Sequence, residues 1–215
     1  GCDVLSMSMI GLGLNEGEAS IPTRFGTMSM NAFEAKNHGN YAFFFDQENQ
    51  TLDPLSLFLY PHFKLINSVL EKNNYQDTTI MGISGGGWYA VWLAALIPEL
   101  SNSISYSGSL PLPYRKYQDN HGDWEQVYSH LYNKVTYFNL YQLMMLDKNG
   151  KLSRNAALVY NNNDSCCFMN PYASHFKSVV EKESGYPLVI IDENAKHTIK
   201  PKIIKSILSE WESLN

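Results

Sequence analysis

The stretch that most constrains this chain runs from residue 78 to residue 97. Thr78-Thr79-Ile80-Met81-Gly82-Ile83 is an apolar run of strand character, Ser84 follows between glycines, and residues 88–97 are apolar nearly all round, as a buried helix would be. A strand that passes into a helix with no linker must turn sharply, and the residue at the tip takes up strained backbone. Side chains two positions either side of Ser84 would collide with their neighbours, so glycine is expected at Gly82 and Gly86. Such a turn exposes Ser84 Oγ and aims the first amides of the helix at any negative charge developing beside it. That is the layout of a nucleophile elbow. A phosphate-cradling loop suits the residues less well, because no Lys follows the glycines and Trp88 and Tyr89 would crowd a phosphate.

A serine hydroxyl is a poor nucleophile until a base takes its proton, and the base needs an acid to orient it. Pro187-Leu188-Val189-Ile190-Ile191 reads as a short buried strand. Its exit loop, Asp192-Glu193-Asn194-Ala195-Lys196, delivers His197 just before a helix opened by Pro201. Residues 156–160 form another strand, and the polar turn Asn161-Asn162-Asn163-Asp164 directly after it makes Asp164 the natural acid. Asp123 and Glu125 follow the strand around residues 104–107 and compete for the role. The other reading of Asp123 is an exposed N-cap or first-turn acid. Asp192 and Glu193 share the loop of His197 and are expected to face solvent. His38, His121, His130 and His175 read as surface or packing residues, and His62 as partly buried packing in a helix. No histidine or cysteine spacing points to a metal, and no cofactor is indicated.

Gly82-Ile83-Ser84-Gly85-Gly86, then Asp164 after the next-to-last strand, then His197 after the last, resemble the α/β-hydrolases over nearly the whole chain. The resemblance implies an α/β fold: a mostly parallel sheet flanked by helices on both faces, with the reacting groups at the carboxyl ends of the strands. It implies Ser84 as nucleophile, His197 as general acid and base, Asp164 as orienter and the Gly85 amide as one oxyanion-hole donor. By analogy with other members, the expected activity is a serine hydrolase that cleaves a small-molecule carboxylic ester through an acyl-enzyme. Peptide cleavage or acyl transfer is the alternative within the enzyme class, and a non-catalytic binding domain on the same scaffold is the rival outside it.

Residues 2–9 read as a strand and residues 10–17 as its glycine-rich exit loop, matching the strand that precedes the elbow strand in the family. The earlier strands, with the loop that supplies the second oxyanion donor, would then lie outside the sequence, and the chain reads as a fragment. The alternative is a minimal fold in which the loop at residues 9–13 supplies that donor. A long irregular excursion is expected over residues 15–53, a helix over 54–72, and a closing helix over 201–211. Residues 114–155 form an insertion rich in aromatics, among them Tyr114, Tyr117, Trp124, Tyr128, Tyr132, Tyr137, Phe138 and Tyr141. It is either a lid whose aromatics line a pocket or a helical unit that fills its own core.

A length of 215 residues with 44% apolar content suits one domain spanning 1–215 with a sizeable core. The net charge of −5 and the lack of any basic run argue against nucleic acid as a partner. No apolar stretch reaches the roughly 18 residues of a membrane span. Three cysteines cannot all pair, and a bridge between adjacent Cys166 and Cys167 would be strained, so free thiols packed beneath the triad are expected. This cysteine usage leans towards a reduced, cytoplasmic setting. The sequence is silent on oligomeric state.

Overall fold

The computed structural model describes residues 2–9, 18–23, 26–31, 54–115, 121–166, 168 and 170–214. Two short strands, β1 (Glu18–Thr23) and β2 (Gly26–Asn31), pair antiparallel as a separate hairpin. Helix α1 (Pro54–Lys72) leads to β3 (Thr79–Ile83), which turns at Ser84 into α2 (Gly85–Leu96). After β4 (Asn102–Tyr106) come the short helices α3 (Leu112–Arg115), α4 (Trp124–Val127) and α5 (Ser129–Tyr132), then α6 (Tyr137–Met145). The chain closes with β5 (Asn155–Asn161), α7 (Tyr172–Val180), β6 (Leu188–Asp192) and α8 (Pro201–Leu214).

Strands β3 to β6 form one parallel sheet in sequential order. Because every pair is parallel, all four carboxyl ends open on one edge of the sheet. The side chains alternate between the faces as a pleated strand requires. Ile104, Tyr106, Ala157 and Val159 point to the side covered by Ile207 and Trp211 of α8. Ala156, Leu158, Tyr160 and Val189 point to the other side, where α1, α2, α6 and α7 build the larger core. Helices thus cover both faces, as the sequence implies. β5 is buried along nearly its whole length, which explains its unbroken apolar run. On β4 the α2-facing positions are Ser103 and Ser105, small enough for the helix backbone to press close, and Ser105 Oγ donates to Gly87 O at 3.0 Å.

The expected strand at residues 2–9 is not formed. The segment lies along α1 instead, where His62, 7% exposed, brings Nε2 to 3.0 Å from Ser8 O and Nδ1 to 3.0 Å from Phe58 O. Met7 and Met9 pack on the larger core while Val4 stands in solvent. Residues 2–6 are exposed and only residues 7–9 turn inward, so the period-two apolar pattern is not matched by burial along one face. Within the expected excursion over residues 15–53, β1 and β2 are ordered strands, and the remainder lies outside the described residues.

The insertion over 114–155 is tied into the main core. Trp88 Nε1 and Trp92 Nε1 of α2 donate to Tyr132 Oη at 2.9 and 3.1 Å. Tyr132 and Tyr137 join hydroxyls at 2.9 Å, and Tyr137 Oη donates to Gln126 O at 2.9 Å. Tyr132 and Tyr137 also stack, with ring centroids 4.7 Å apart. Arg154, buried to 5% exposure, donates to the carbonyls of Ala94, Leu100 and Leu146 and so closes the carboxyl ends of α2 and α6 with a cation. Among the described residues, no helix is long and apolar enough to cross a membrane.

Candidate active site

Ser84 sits at the tip of the β3–α2 turn with φ 55° and ψ −124°, a conformation that costs a residue with a Cβ on the order of 1–3 kcal/mol. Two bonds hold it there. Its N–H donates to Tyr106 O at 2.9 Å, and its carbonyl accepts the first helical bond, from Trp88 N, at 3.0 Å. The amides of Gly85, Gly86 and Gly87 therefore have no intrahelical acceptor, and they cluster at the helix end that carries the positive pole.

The glycines divide the work differently from the expectation. A Cβ on Gly82 would stand 2.3 Å from the carbonyl carbon of Gly86, so Gly82 is required by close approach. A Cβ on Gly86 would meet nothing within 4 Å, so the expected collision there is absent. The second tight position is Gly87, which faces Gly108 across the turn and is invisible to a rule about positions two either side of the serine. A Cβ on Gly85 would meet Met9 Cε at 2.7 Å, which places residue 9 beside the elbow. Residues 10–13 lie outside the described residues.

Asp164 and His197 are brought together. Nδ1 of His197 stands 2.9 Å from Asp164 Oδ2 and 3.1 Å from Oδ1. The acid side chain is fully buried and the imidazole is 30% exposed. Cys166 N donates to Asp164 Oδ1 at 2.8 Å, which fixes the carboxylate plane. With Nδ1 donating to the acid, Nε2 carries the lone pair and can take a proton.

The two loops that carry this pair are laced to each other. Asn162 N donates to Asp192 O at 2.8 Å, Asn163 N to Ala195 O at 3.0 Å, and Asn161 Nδ2 to Thr198 O at 2.9 Å. Behind them Lys200 Nζ pairs with Asp192 Oδ1 at 2.9 Å, and Tyr106 Oη donates to Lys200 O at 3.3 Å. Asp192 is thus buried, against the expectation that it faces solvent. It ends β6, where its carboxylate accepts from Asn194 N and from Lys200 and fastens both ends of the histidine loop. Glu193 is exposed, and so is Asp123 at the N-cap position of α4. No hydrogen bond or ion pair joins Asp123 to His197 among the described residues. Cys166, in no disulfide, is half-buried beside the acid, and Cys167 lies outside the described residues.

Ser84 leaves β3 two strands away from Asp164, a lateral separation of about 9–10 Å at ordinary strand spacing. It opens on the same sheet edge as the acid–imidazole pair. Among the described residues, no hydrogen bond joins Ser84 Oγ to His197. Such contacts are often long until substrate engages.

No family model matches the sequence, and no curated protein matches it. Among solved structures, a protein of Bacteroides ovatus assigned as a dipeptidyl aminopeptidase IV superposes with a TM-score of 0.50 at 15% identity, over 84% of this chain and 24% of its own. The chain has the α/β-hydrolase fold. An acylaminoacyl peptidase is similar with a TM-score of 0.48 at 18% identity, over 68% of this chain and 26% of that one. A CIB-like hydrolase of Thermoplasma acidophilum gives 0.42 at 16%, over 71% and 58%. The chain spans less than two thirds of each of these α/β-hydrolase-fold proteins.

Proposed function

We propose that the chain is a serine hydrolase that cleaves a carboxylic ester, with Ser84 as nucleophile, His197 as general base and acid, and Asp164 as orienter. The observation that carries this reading is the Asp164–His197 pair, 2.9 Å apart, on the same sheet edge to which the strained Ser84 turn opens. Nε2 of His197 would take the Ser84 hydroxyl proton as Oγ attacks the acyl carbon. The Gly85 amide, at the amino end of α2, would donate to the oxyanion. The imidazolium would then return its proton to the leaving alcohol, and water, activated by the same imidazole, would release the acyl group. The Bacteroides ovatus protein of this fold carries a peptidase's name, which agrees with hydrolase chemistry.

A fluorophosphonate probe tests it. Labelling at Ser84, abolished in Ser84→Ala and severely reduced in His197→Ala, is the expected result, and p-nitrophenyl esters of increasing chain length beside aminoacyl amides separate ester from peptide chemistry. The second reading is a non-catalytic binding domain on the same scaffold. An unlabelled native protein supports that one.

A further inference from the structure

The geometry points to Asn161 as a positioning residue that keeps the imidazole of His197 on Asp164, an inference that rests on the hydrolase reading for its consequence in turnover but not for its geometry. Asn161 is the last residue of β5 and is 1% exposed. Its main chain begins the acid turn, since Asp164 N donates to Asn161 O at 3.0 Å. Its side chain crosses to the other loop and donates from Nδ2 to Thr198 O, one residue past the histidine, at 2.9 Å. One residue thus belongs to the acid's turn and grips the base's loop.

The grip matters because it is made next to the histidine, whereas the other ties on the carboxyl side, from Lys200 to Asp192 and Tyr106, lie three residues past it. On its amino side His197 is restrained through Asn163 N and Ala195 O, a main-chain bond. On its carboxyl side the neighbouring Thr198 N–H turns back to Lys196 O at 2.7 Å, within the loop itself. Asn161 Nδ2 is the side-chain bond between the two loops that lies beside His197. The chemistry of the position is specific. Thr198 O can only accept, so the amide must present its nitrogen there, which leaves Oδ1 buried without a hydrogen-bond partner among the described residues. A buried amide with one half unsatisfied is a poor device for stability alone, because the orphaned oxygen offsets much of what the donated bond contributes. Alanine would remove the grip and leave a small cavity at a buried position, and aspartate, of the same shape, would set a carboxylate oxygen against the Thr198 carbonyl.

The test uses Asn161→Asp and Asn161→Ala in the whole chain, with two readouts. The first is the low-field proton resonance of the His197 Nδ1–H held by Asp164, which should be sharp in the native protein and broadened or lost in both variants. The second is ester turnover, where kcat should fall about 10–100-fold with KM within about twofold. The pH profile of kcat/KM should move in N161D, which adds a titratable group to the loop pair that holds the imidazole. Variants that keep the native resonance and the native kcat overturn the assignment. So does an activity loss that disappears whenever the variant is cooled to where it is fully folded, since that is the mark of a purely structural bond. A native protein inert to fluorophosphonate and to esters sinks the hydrolase reading, while the imidazole resonance still decides the role of Asn161.

Discussion

Gly87 and Gly108 meet backbone to backbone beneath the elbow. A Cβ on Gly108 would stand 2.3 Å from the Gly87 carbonyl carbon, and one on Gly87 would stand 2.8 Å from Gly108 Cα. This contact lets the first turn of α2 lie down on the end of β4, and it sets the height at which Ser84 leaves the sheet. The obstacle on both sides is main chain, which cannot rotate away as a flexible side chain would.

Gly108→Ala and Gly87→Ala should therefore each destabilise the fold by about 3 kcal/mol, the upper end of what overpacking costs. In a chain of this length that lowers the melting temperature by roughly 6–12 °C. Gly86→Ala, whose Cβ meets nothing, should stay within about 1 kcal/mol of the native protein. Thermal melts of the three variants check the order, and a Gly86 variant less stable than the Gly108 variant would contradict the account.

The acid is the next point of decision. Asp164→Asn keeps the shape of the side chain but lets the amide present a donor to Nδ1, so His197 is held in the wrong tautomer or not held at all. Ester turnover should fall about 10³–10⁴-fold with the fold intact. Asp123→Asn, at an exposed helix start with no hydrogen bond to the imidazole among the described residues, should change kcat/KM by less than about threefold. Steady-state kinetics on the pair settle which carboxylate orients the base, and the opposite outcome would return the role to Asp123.

Much of this was legible in the sequence because strand, turn and helix each leave a local signature. The apolar runs at 156–160 and 187–191, closed by Asn161-Asn162-Asn163 and Asp192-Glu193, placed two loops on one sheet edge, and a parallel sheet then had to bring Asp164 near His197. Contacts between residues distant in the chain were not legible. Gly87 against Gly108, and Asn161 against Thr198, have no period or motif to announce them. Asp192 misled because an acid in a polar loop reads as solvated, while its partner Lys200 is eight residues on and approaches only when the loop folds back. Residues 2–9 misled in the opposite way: their alternation has the period of a strand, but only Met7, Ser8 and Met9 turn inward and no neighbouring strand pairs with them among the described residues.

Tyr132 should prove to be the pin between the insertion and α2. Removing its hydroxyl in Tyr132→Phe leaves Trp88 Nε1 and Trp92 Nε1 buried without their acceptor and takes away the partner of Tyr137 Oη. The expected cost is about 2–4 kcal/mol, because buried donors lose their bonds and regain no water. Urea denaturation followed by tryptophan emission reads both the stability and the changed indole environment. A midpoint unchanged within error would mean that the insertion is held by packing alone.

Alkaline pH should unfold the protein through its buried tyrosines. Burial is the leading cause that pushes Tyr132, Tyr137, Tyr141 and Tyr160 above the usual phenol range, and it raises Tyr106 to about 12. A group whose pKa is raised by folding contributes stability that is fully present below its unfolded value, near 10, and is lost as the pH climbs towards the folded value. The unfolded chain releases these protons first, so stability should be flat with respect to these groups up to about pH 9, begin to fall near 10, and continue falling past 12. Urea midpoints at pH 8, 10 and 11 should decline in that order. Tyrosinate absorbance should show these tyrosines, five of the 14, lagging behind the exposed ones as the pH rises and completing their titration only with the unfolding transition. Full titration of all 14 in a chain that keeps its native circular dichroism would show that the phenols are open to solvent, and the packing of the insertion on α2 and α7 would have to be redrawn.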